Sequence, residues 1–198
     1  MSLKAKIFAR NVSNLSDARY LSGMGAEFIA IQINPELPGY LSSEKFKEIA
    51  GWISGPEFVL QATNLNAEQI KKSRTDYGVD TILISPDQLN TINESGENII
   101  LEIYASAFKL INLSDSICSR KVTIINADIA DAEVHEIMTE SEKIFDQIFL
   151  GNISGENVAN TYLTNFPTIG FAVSGTPEIQ VGLKEYDFRE FLEYLDSE

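Results

Sequence analysis

The chain has 198 residues, of which 44% are hydrophobic, and its 15 Lys and Arg against 29 Asp and Glu give a formal net charge of −14. A surface this acidic repels phosphate backbones, and no basic stripe occurs, so nucleic-acid binding is disfavoured. No apolar run reaches the ~18 residues of a membrane-spanning helix, so no membrane association is expected. One cysteine, Cys118, and one histidine, His135, provide neither a disulfide nor a zinc ligand set. We therefore expect a cytoplasmic protein without a metal or other cofactor.

Apolar segments typical of buried strands recur along the whole chain. They are rich in Ile, Val and Phe, and several are nearly continuous in apolar character, as in parallel strands buried on both faces. The predicted strands cover residues 4–9, 27–33, 57–63, 80–85, 98–105, 121–126, 147–151 and 168–173.

Segments with helical patterns separate these strands. Helices are predicted over 16–24, 42–53, 66–78, 85–96, 106–118, 130–142, 154–163 and 184–195, with the least regular pattern at 106–118. Strict alternation of strand and helix implies a parallel sheet with right-handed crossovers. Eight such units predict an α/β fold, a closed (β/α)₈ TIM barrel formed by one domain, residues 1–198. An open doubly wound sheet is the alternative, but no G-x-G-x-x-G follows the first strand.

The loops that follow strands 7 and 8 are the predicted ligand site. In (β/α)₈ barrels a phosphate often binds there, against backbone N–H groups and the start of a short helix. Strand 7 runs into Gly151 and Asn152, and strand 8 runs into Ser174, Gly175 and Thr176. We predict that these five residues bind phosphate, although two ordinary strand–helix turns would also favour Gly, Ser and Thr.

Polar residues within or just after the apolar strands are further candidates. Arg10 follows strand 1 and could face an anionic ligand, but we expect it to lie in a solvent-exposed loop. Gln32, Gln61 and Glu102 interrupt apolar strands and need polar partners if they lie inside the barrel. Their direction depends on strand register, because a shift of one residue reverses it.

Asn126 and Asp128, at the end of strand 6, are the best-placed polar pair. Together with Arg10 they are the candidate catalytic residues, and the sequence assigns no reaction to them.

The two ends of the chain resemble phosphoribosylanthranilate isomerase, a (β/α)₈ enzyme of tryptophan biosynthesis. "KIFA" at 6–9 is similar to the family's K-I-C-G, and "DA" at 17–18 to its D-A helix start. "IFLGNISGENV" at 148–158 is similar to A-G-G-L-x-P-E-N-V, and "VSGTPEIQVGLKEYDFREFL" at 173–192 to the family's S-S-G-V-E…P-G-x-K-D ending. The resemblance covers the middle of the chain only by its number of strands.

This resemblance implies an Amadori rearrangement of a phosphoribosyl amine, which requires one general acid and one general base. The family's base, the Cys of K-I-C-G, corresponds to Phe8, and its strand 6 Asp corresponds to Asn126. Asp128 takes the acid position only if the alignment shifts by two residues. The family Arg that pairs with the anthranilate carboxylate corresponds to Gly39, and the Q-L-H-G of strand 4 corresponds to residues 82–85.

Three hypotheses follow, in order of preference. The first is a diverged barrel that binds a phosphorylated small molecule and lacks the isomerase chemistry. The second is an active isomerase with a rebuilt site that uses Asp128, and the third is a non-enzymatic interaction protein on a barrel scaffold. The oligomeric state, monomer or homodimer, stays open.

Overall fold

Eight parallel strands form a closed barrel in which each strand pairs with the next along the chain and the last pairs with the first. This computed structural model describes residues 3–89, 92, 98–111, 122–153, 156–175 and 187–196. The strands are β1 (Ile7–Arg10), β2 (Phe28–Gln32), β3 (Glu57–Gln61), β4 (Ile82–Ile84), β5 (Ile99–Tyr104), β6 (Val122–Asn126), β7 (Gln147–Gly151) and β8 (Gly170–Ser174). The prediction of a (β/α)₈ barrel is confirmed.

Six α-helices occur in the described part of the chain, five between strands and the sixth after β8. They are α1 (Leu15–Gly23), α2 (Ser43–Ala50), α3 (Ala67–Tyr77), α4 (Asp131–Ser141), α5 (Glu156–Asn165) and α6 (Asp187–Asp196). Their starts follow local hydrogen-bonding rules. The Asn14 side chain accepts a hydrogen bond from the N–H of Asp17, and Asn66 and Gln69 form a reciprocal capping box before α3. Across the described ranges, no helix is both long and apolar enough to cross a membrane.

The intervals after β4 and β5 differ from the prediction. Instead of α-helices, the described residues form short 3₁₀ helices, Pro86–Gln88 and Ala105–Leu110. The Gln88 side chain donates hydrogen bonds to the carbonyls of Ala62 and Leu65, at 2.8 and 3.0 Å. These bonds hold the first turn against the loop after β3. Residues 90–91, 93–97 and 112–120, which make up most of the rest of both predicted helices, lie outside the described residues.

A cluster of three phenylalanines fills the middle of the barrel. The ring of Phe8 lies 5.2 Å from Phe28 and 5.3 Å from Phe149, and the last two rings are 5.8 Å apart. The other inward-facing apolar residues are Ala30, Val59, Leu83, Ile100, Val122, Ile124 and Ala172. Each buried aromatic side chain stabilises the fold by roughly 1.5–3 kcal/mol.

Gly170 leaves the space that this cluster needs. A Cβ at Gly170 would lie 2.5 Å from Cδ1 of Phe149 and 2.7 Å from the carbonyl oxygen of Lys6. The aromatic cluster therefore closes the interior of the barrel, and any ligand site in it must lie above the cluster, at the carboxyl ends of the strands.

Candidate functional site

A layer of polar side chains lies directly above the aromatic cluster. Side chains alternate in direction along a strand, so the residue two positions after an inward-facing apolar residue also points inward. Six inward-facing apolar residues have such a residue two positions later: Phe8, Val59, Ile100, Ile124, Phe149 and Ala172. The later residues are, in the same order, Arg10, Gln61, Glu102, Asn126, Gly151 and Ser174. Each is the last residue of its strand or lies close to that end.

A buried network joins Arg10, Glu102 and Asn126. Nη1 of Arg10 forms a salt bridge with Oε1 of Glu102 and donates a hydrogen bond to Oδ1 of Asn126 at 2.9 Å. Nδ2 of Asn126 donates to the same Glu102 oxygen at 2.9 Å. Only 8% of the Arg10 side chain and 19% of the Glu102 side chain are exposed, and Asn126 is 1% exposed. A charge this deeply buried is tolerated because it is paired and hydrogen-bonded.

Gly151 provides the space for this network. A Cβ at position 151 would lie 2.2 Å from Oδ1 of Asn126 and 3.3 Å from Nη2 of Arg10. Nη2 of Arg10 therefore lies beside β7, whereas Nη1 is engaged by Glu102 on β5 and Asn126 on β6. The guanidinium thus spans the floor of the barrel mouth.

A cavity of about 650 Å³ opens above this floor. Arg10, Asn152 and Ser174 line one side, next to β7, β8 and β1. The strand order places β4 and β5 across the barrel from them. The other lining residues are Asn11, Gln61, Thr63, Leu83, Ile84, Ser85, Pro86, Asp87, Glu102, Tyr104, Ala107, Leu110 and Ile111.

The backbone after β1 and after β7 takes a left-handed turn at the cavity wall. Asn11 has φ 52° and Asn152 has φ 59°. Asparagine tolerates this conformation better than most residues that have a side chain. The N–H of Gly175 donates to the carbonyl of Arg10 at 2.7 Å, and a Cβ at Gly175 would lie 2.9 Å from the carbonyl oxygen of Asn11. The loops after β1 and β8 are therefore packed closely together.

Four of the five residues predicted to bind phosphate belong to the described part of the chain, and these four lie near one another. Asn152 and Ser174 line the cavity, and Gly151 lies at its floor beside Arg10. Gly175 follows β8 and packs on the turn at Asn11. Thr176 lies outside the described residues.

The predicted catalytic candidates do not all meet. Arg10 and Asn126 are in direct contact, and Arg10 lines the cavity. The expectation that Arg10 lies in a solvent-exposed loop is wrong, because Arg10 is the last residue of β1 and its side chain turns into the barrel to pair with Glu102.

Asp128 is directed to a neighbouring loop. Its carboxylate accepts hydrogen bonds from the N–H of Ser106, at 2.9 Å, and from the Ser106 hydroxyl. Desolvation raises the pKa of this carboxyl, but the hydrogen bonds from Ser106, together with those from the backbone of Asp128 and Ala105, outweigh it and lower the pKa below the usual value of 3.8. Asp128 is therefore ionised at neutral pH, and it is not part of the cavity wall among the described residues.

Phe8 and Gly39 stand at the positions that the resemblance assigns to a base and to a carboxylate clamp. The structure gives neither of them a place on the described wall of the cavity. Phe8 is fully buried in the aromatic cluster. Gly39 has φ 81° in the loop before α2 and is not among the described lining residues of the cavity.

Sequence reasoning missed several residues of the cavity wall. It did not identify Asn11, whose left-handed conformation after β1 matches that of Asn152 after β7. The available signal was the equivalent place of the two asparagines, each one residue beyond a strand. Tyr104 and Leu110, 55% and 86% exposed, were also missed, because their pattern resembles that of ordinary strand and helix residues. Gln32 accepts a hydrogen bond from the N–H of Asn34 and is not among the described lining residues.

Metal binding has no support in the part of the chain that the structure describes. No group of three or more His, Cys, Asp or Glu side chains there is arranged to hold an ion.

Comparison with known proteins identifies the fold. No family model matches the sequence, and no curated protein matches it. The phosphoribosylanthranilate isomerase of Thermus thermophilus has a similar structure, with a TM-score of 0.70 over 96% of this chain and 98% of that chain at 12% identity. The enzyme of Pyrococcus furiosus gives a TM-score of 0.69 at 14% identity, with the same coverage.

A third similar structure is a phosphoribosylanthranilate isomerase in complex with reduced 1-(o-carboxyphenylamino)-1-deoxyribulose 5-phosphate. It matches with a TM-score of 0.69 and 14% identity, again over 96% of this chain and 98% of that chain. The chain thus has the (β/α)₈ fold of phosphoribosylanthranilate isomerase. At this level of identity, the similarity establishes the fold alone.

The space at Gly151 generates a stability prediction. Gly151→Ala should destabilise the fold by about 1–3 kcal/mol, because the new methyl group overlaps the Asn126 amide. In an Asn126→Ala background the same change should cost less, with a coupling energy of about 0.5–3 kcal/mol. Urea unfolding of the four variants, followed by circular dichroism, measures this. Gly51→Ala, whose Cβ makes only ordinary contacts, is the control; additive costs would contradict the predicted overlap.

The hydrogen bonds to Asp128 generate a pH prediction. A folded-state pKa below the unfolded value stabilises the fold above the unfolded pKa, and this contribution is lost as pH falls through the folded pKa. Ser106→Ala should therefore lower stability at pH 7, and the pH-dependent part of the deficit should shrink as the pH falls below ~4 and disappear once the pH has fallen through the folded pKa. Urea unfolding across pH 2–7 tests this. Ser22→Ala, which loses a bond to the carbonyl of Ser54 and none to a carboxylate, should give a pH-independent difference.

Proposed function

We propose that this protein binds a phosphorylated small molecule at the mouth of the barrel and does not catalyse the phosphoribosylanthranilate isomerase reaction. The observation that carries the proposal is one arrangement: an open cavity has Arg10, Asn152 and Ser174 along one side, while Phe8 seals the interior below. The phosphate is placed at the ends of β7 and β8, and the rest of the ligand extends across the cavity.

The chemistry of the β7 and β8 side suits an anion. Nη2 of Arg10 lies beside Gly151 and has no hydrogen-bond partner among the described residues, so the guanidinium retains donors for a ligand. Asn152 provides amide hydrogens and Ser174 provides a hydroxyl at the same wall. A guanidinium with neutral donors is a common set for phosphate recognition. The phosphorylated compound bound by a similar barrel supports the same class of ligand.

The two groups that would transfer protons in the phosphoribosylanthranilate isomerase reaction are missing from their expected positions. Phe8 has no titratable atom and is fully buried against Phe28 and Phe149. Asn126, at the acid position, is an amide that cannot donate a proton as an acid, and its Nδ2 is engaged by Glu102. Asp128 is ionised and directed to Ser106, so it does not replace that acid.

Binding at the β7 side predicts a specific effect of charge. Asn152→Asp should weaken binding of D-ribose 5-phosphate by about tenfold or more, because a carboxylate then lies close to the phosphate. Asn98→Asp is the matched control. Asn98 has the same left-handed backbone, with φ 74°, but it lies at the amino end of β5, at the opposite end of the barrel. Isothermal titration calorimetry with D-ribose 5-phosphate and with ribose measures the difference. Equal affinities of the two variants, or failure of the unmodified protein to bind inorganic phosphate or ribose 5-phosphate, would overturn the proposed site.

Loss of the proton-transfer groups predicts no isomerase turnover. Purified protein should not accelerate the decay of phosphoribosylanthranilate fluorescence, whereas the Thermus thermophilus enzyme, assayed in parallel, should do so. The negative result is informative only with folded protein, which a cooperative thermal unfolding transition establishes. Turnover that disappears in Asp128→Asn would show that the site has been rebuilt around Asp128 and would refute this part of the proposal.

A further inference from the structure

The two sides of the cavity differ in charge. Arg10, Asn152 and Ser174 lie on the β7–β8–β1 side and carry no negative charge. Glu102 on β5 and Asp87 after β4 place two carboxylates on the opposite side. Among the described lining residues, Arg10 is the one cation, and its Nη1 is already paired with Glu102.

The acidic side also presents hydrogen-bond acceptors without donors. Oε1 of Glu102 accepts two of the three hydrogen bonds of the network, one from Arg10 and one from Asn126. No described group donates to Oε2 of Glu102, although part of this side chain is exposed at the cavity. Oε1 of Gln61 is buried at the same wall without a partner in the structure. Unpaired acceptors at a cavity favour a ligand that brings N–H or O–H donors.

Apolar side chains surround these acceptors. Leu83 and Ile84 contribute from β4, and Tyr104, Leu110 and Ile111 contribute from β5 and the 3₁₀ helix after it. Tyr104 and Leu110 are strongly exposed beside the opening, so they are free to cover a flat apolar group. The far side of the cavity therefore combines an apolar surface with acceptors and negative charge.

We infer that the ligand carries, opposite its phosphate, an apolar group with an N–H or O–H donor and no carboxylate, and that Glu102 sets this selectivity. This inference rests on the proposed function and specifies the ligand of that site. A carboxylate brought to this side would face Glu102 and Asp87 and meet no free cation among the described residues, which costs binding free energy. A neutral N–H or O–H donor at the same place forms hydrogen bonds with the unpaired acceptors.

Two ligands that differ in a single group test the inference. The first is reduced 1-(o-carboxyphenylamino)-1-deoxyribulose 5-phosphate, which a similar barrel binds. The second is its phenylamino counterpart without the carboxyl group, which keeps the phosphate, the amine N–H and the ring. Isothermal titration calorimetry with the full chain should give an affinity for the second compound that is at least about tenfold higher.

Variants of the acidic side locate the source of the preference. Glu102→Gln keeps an acceptor for Arg10 and Asn126 but removes the charge, so the ratio of the two dissociation constants should fall to within about threefold of unity. Asp87→Asn, which is exposed and outside the buried network, should reduce the ratio by a smaller factor. Glu48→Gln, an exposed acid on α2, should leave the ratio unchanged. Thermal unfolding of each variant confirms that the titrated protein is folded.

The outcomes separate this inference from the proposed function. Equal affinities for the two compounds, or tighter binding of the carboxylated one, would overturn the inference and leave phosphate binding intact. Binding of D-ribose 5-phosphate together with failure of both aryl compounds would do the same. A preference that persists unchanged in Glu102→Gln and Asp87→Asn would refute the role of the acidic side. If inorganic phosphate, ribose 5-phosphate and both aryl compounds all fail to bind, the proposed function falls as well.

Discussion

The pairing of Arg10 with Glu102 and Asn126 determines the architecture of the barrel mouth. An arginine at the end of a barrel strand, with its side chain directed inward, is largely shielded from bulk water. An unpaired guanidinium there would be severely destabilising. The partners come from residues 92 and 116 positions further along the chain. Their contact ties β1 to β5 and β6, and the absence of a side chain at Gly151 lets the guanidinium extend to β7. Four strands thus meet at one charged group.

The barrel interior is divided into two layers with different roles. The lower layer, centred on Phe8, Phe28 and Phe149, is apolar and accounts for packing stability. The upper layer is polar and faces the cavity. This division is common in (β/α)₈ proteins, where the carboxyl ends of the strands support ligand chemistry and the body of the barrel supports the fold. Here the division occurs within two residues of each strand, since Phe8 belongs to one layer and Arg10 to the other.

The positions of the strands were predictable because a buried parallel strand leaves a nearly continuous apolar run, and all eight runs became strands. The direction of the polar residues near their ends was not predictable, because it depends on a register that single-residue shifts reverse. Gln61 and Glu102 proved to face the cavity, whereas Gln32 bonds its own loop. Gly151 was predicted to bind phosphate, but it could not be predicted that a Cβ there would meet the side chains of Asn126 and Arg10. Such a contact joins side chains from strands that are far apart in the sequence, so local sequence patterns cannot predict it.

The aromatic cluster restricts which residues can replace Phe8. A small side chain at position 8 would leave a cavity where the Phe8 ring now packs against Phe28 and Phe149. Truncating a buried phenylalanine costs about 3–5 kcal/mol, against a total stability of about 5–15 kcal/mol for a typical domain. The rings of Phe28 and Phe149 would lose their contacts with Phe8, and Phe149 is already packed so closely on Gly170 that a Cβ there would lie 2.5 Å from its Cδ1. A smaller, reactive residue at position 8 would therefore be tolerated only if several neighbouring positions changed with it.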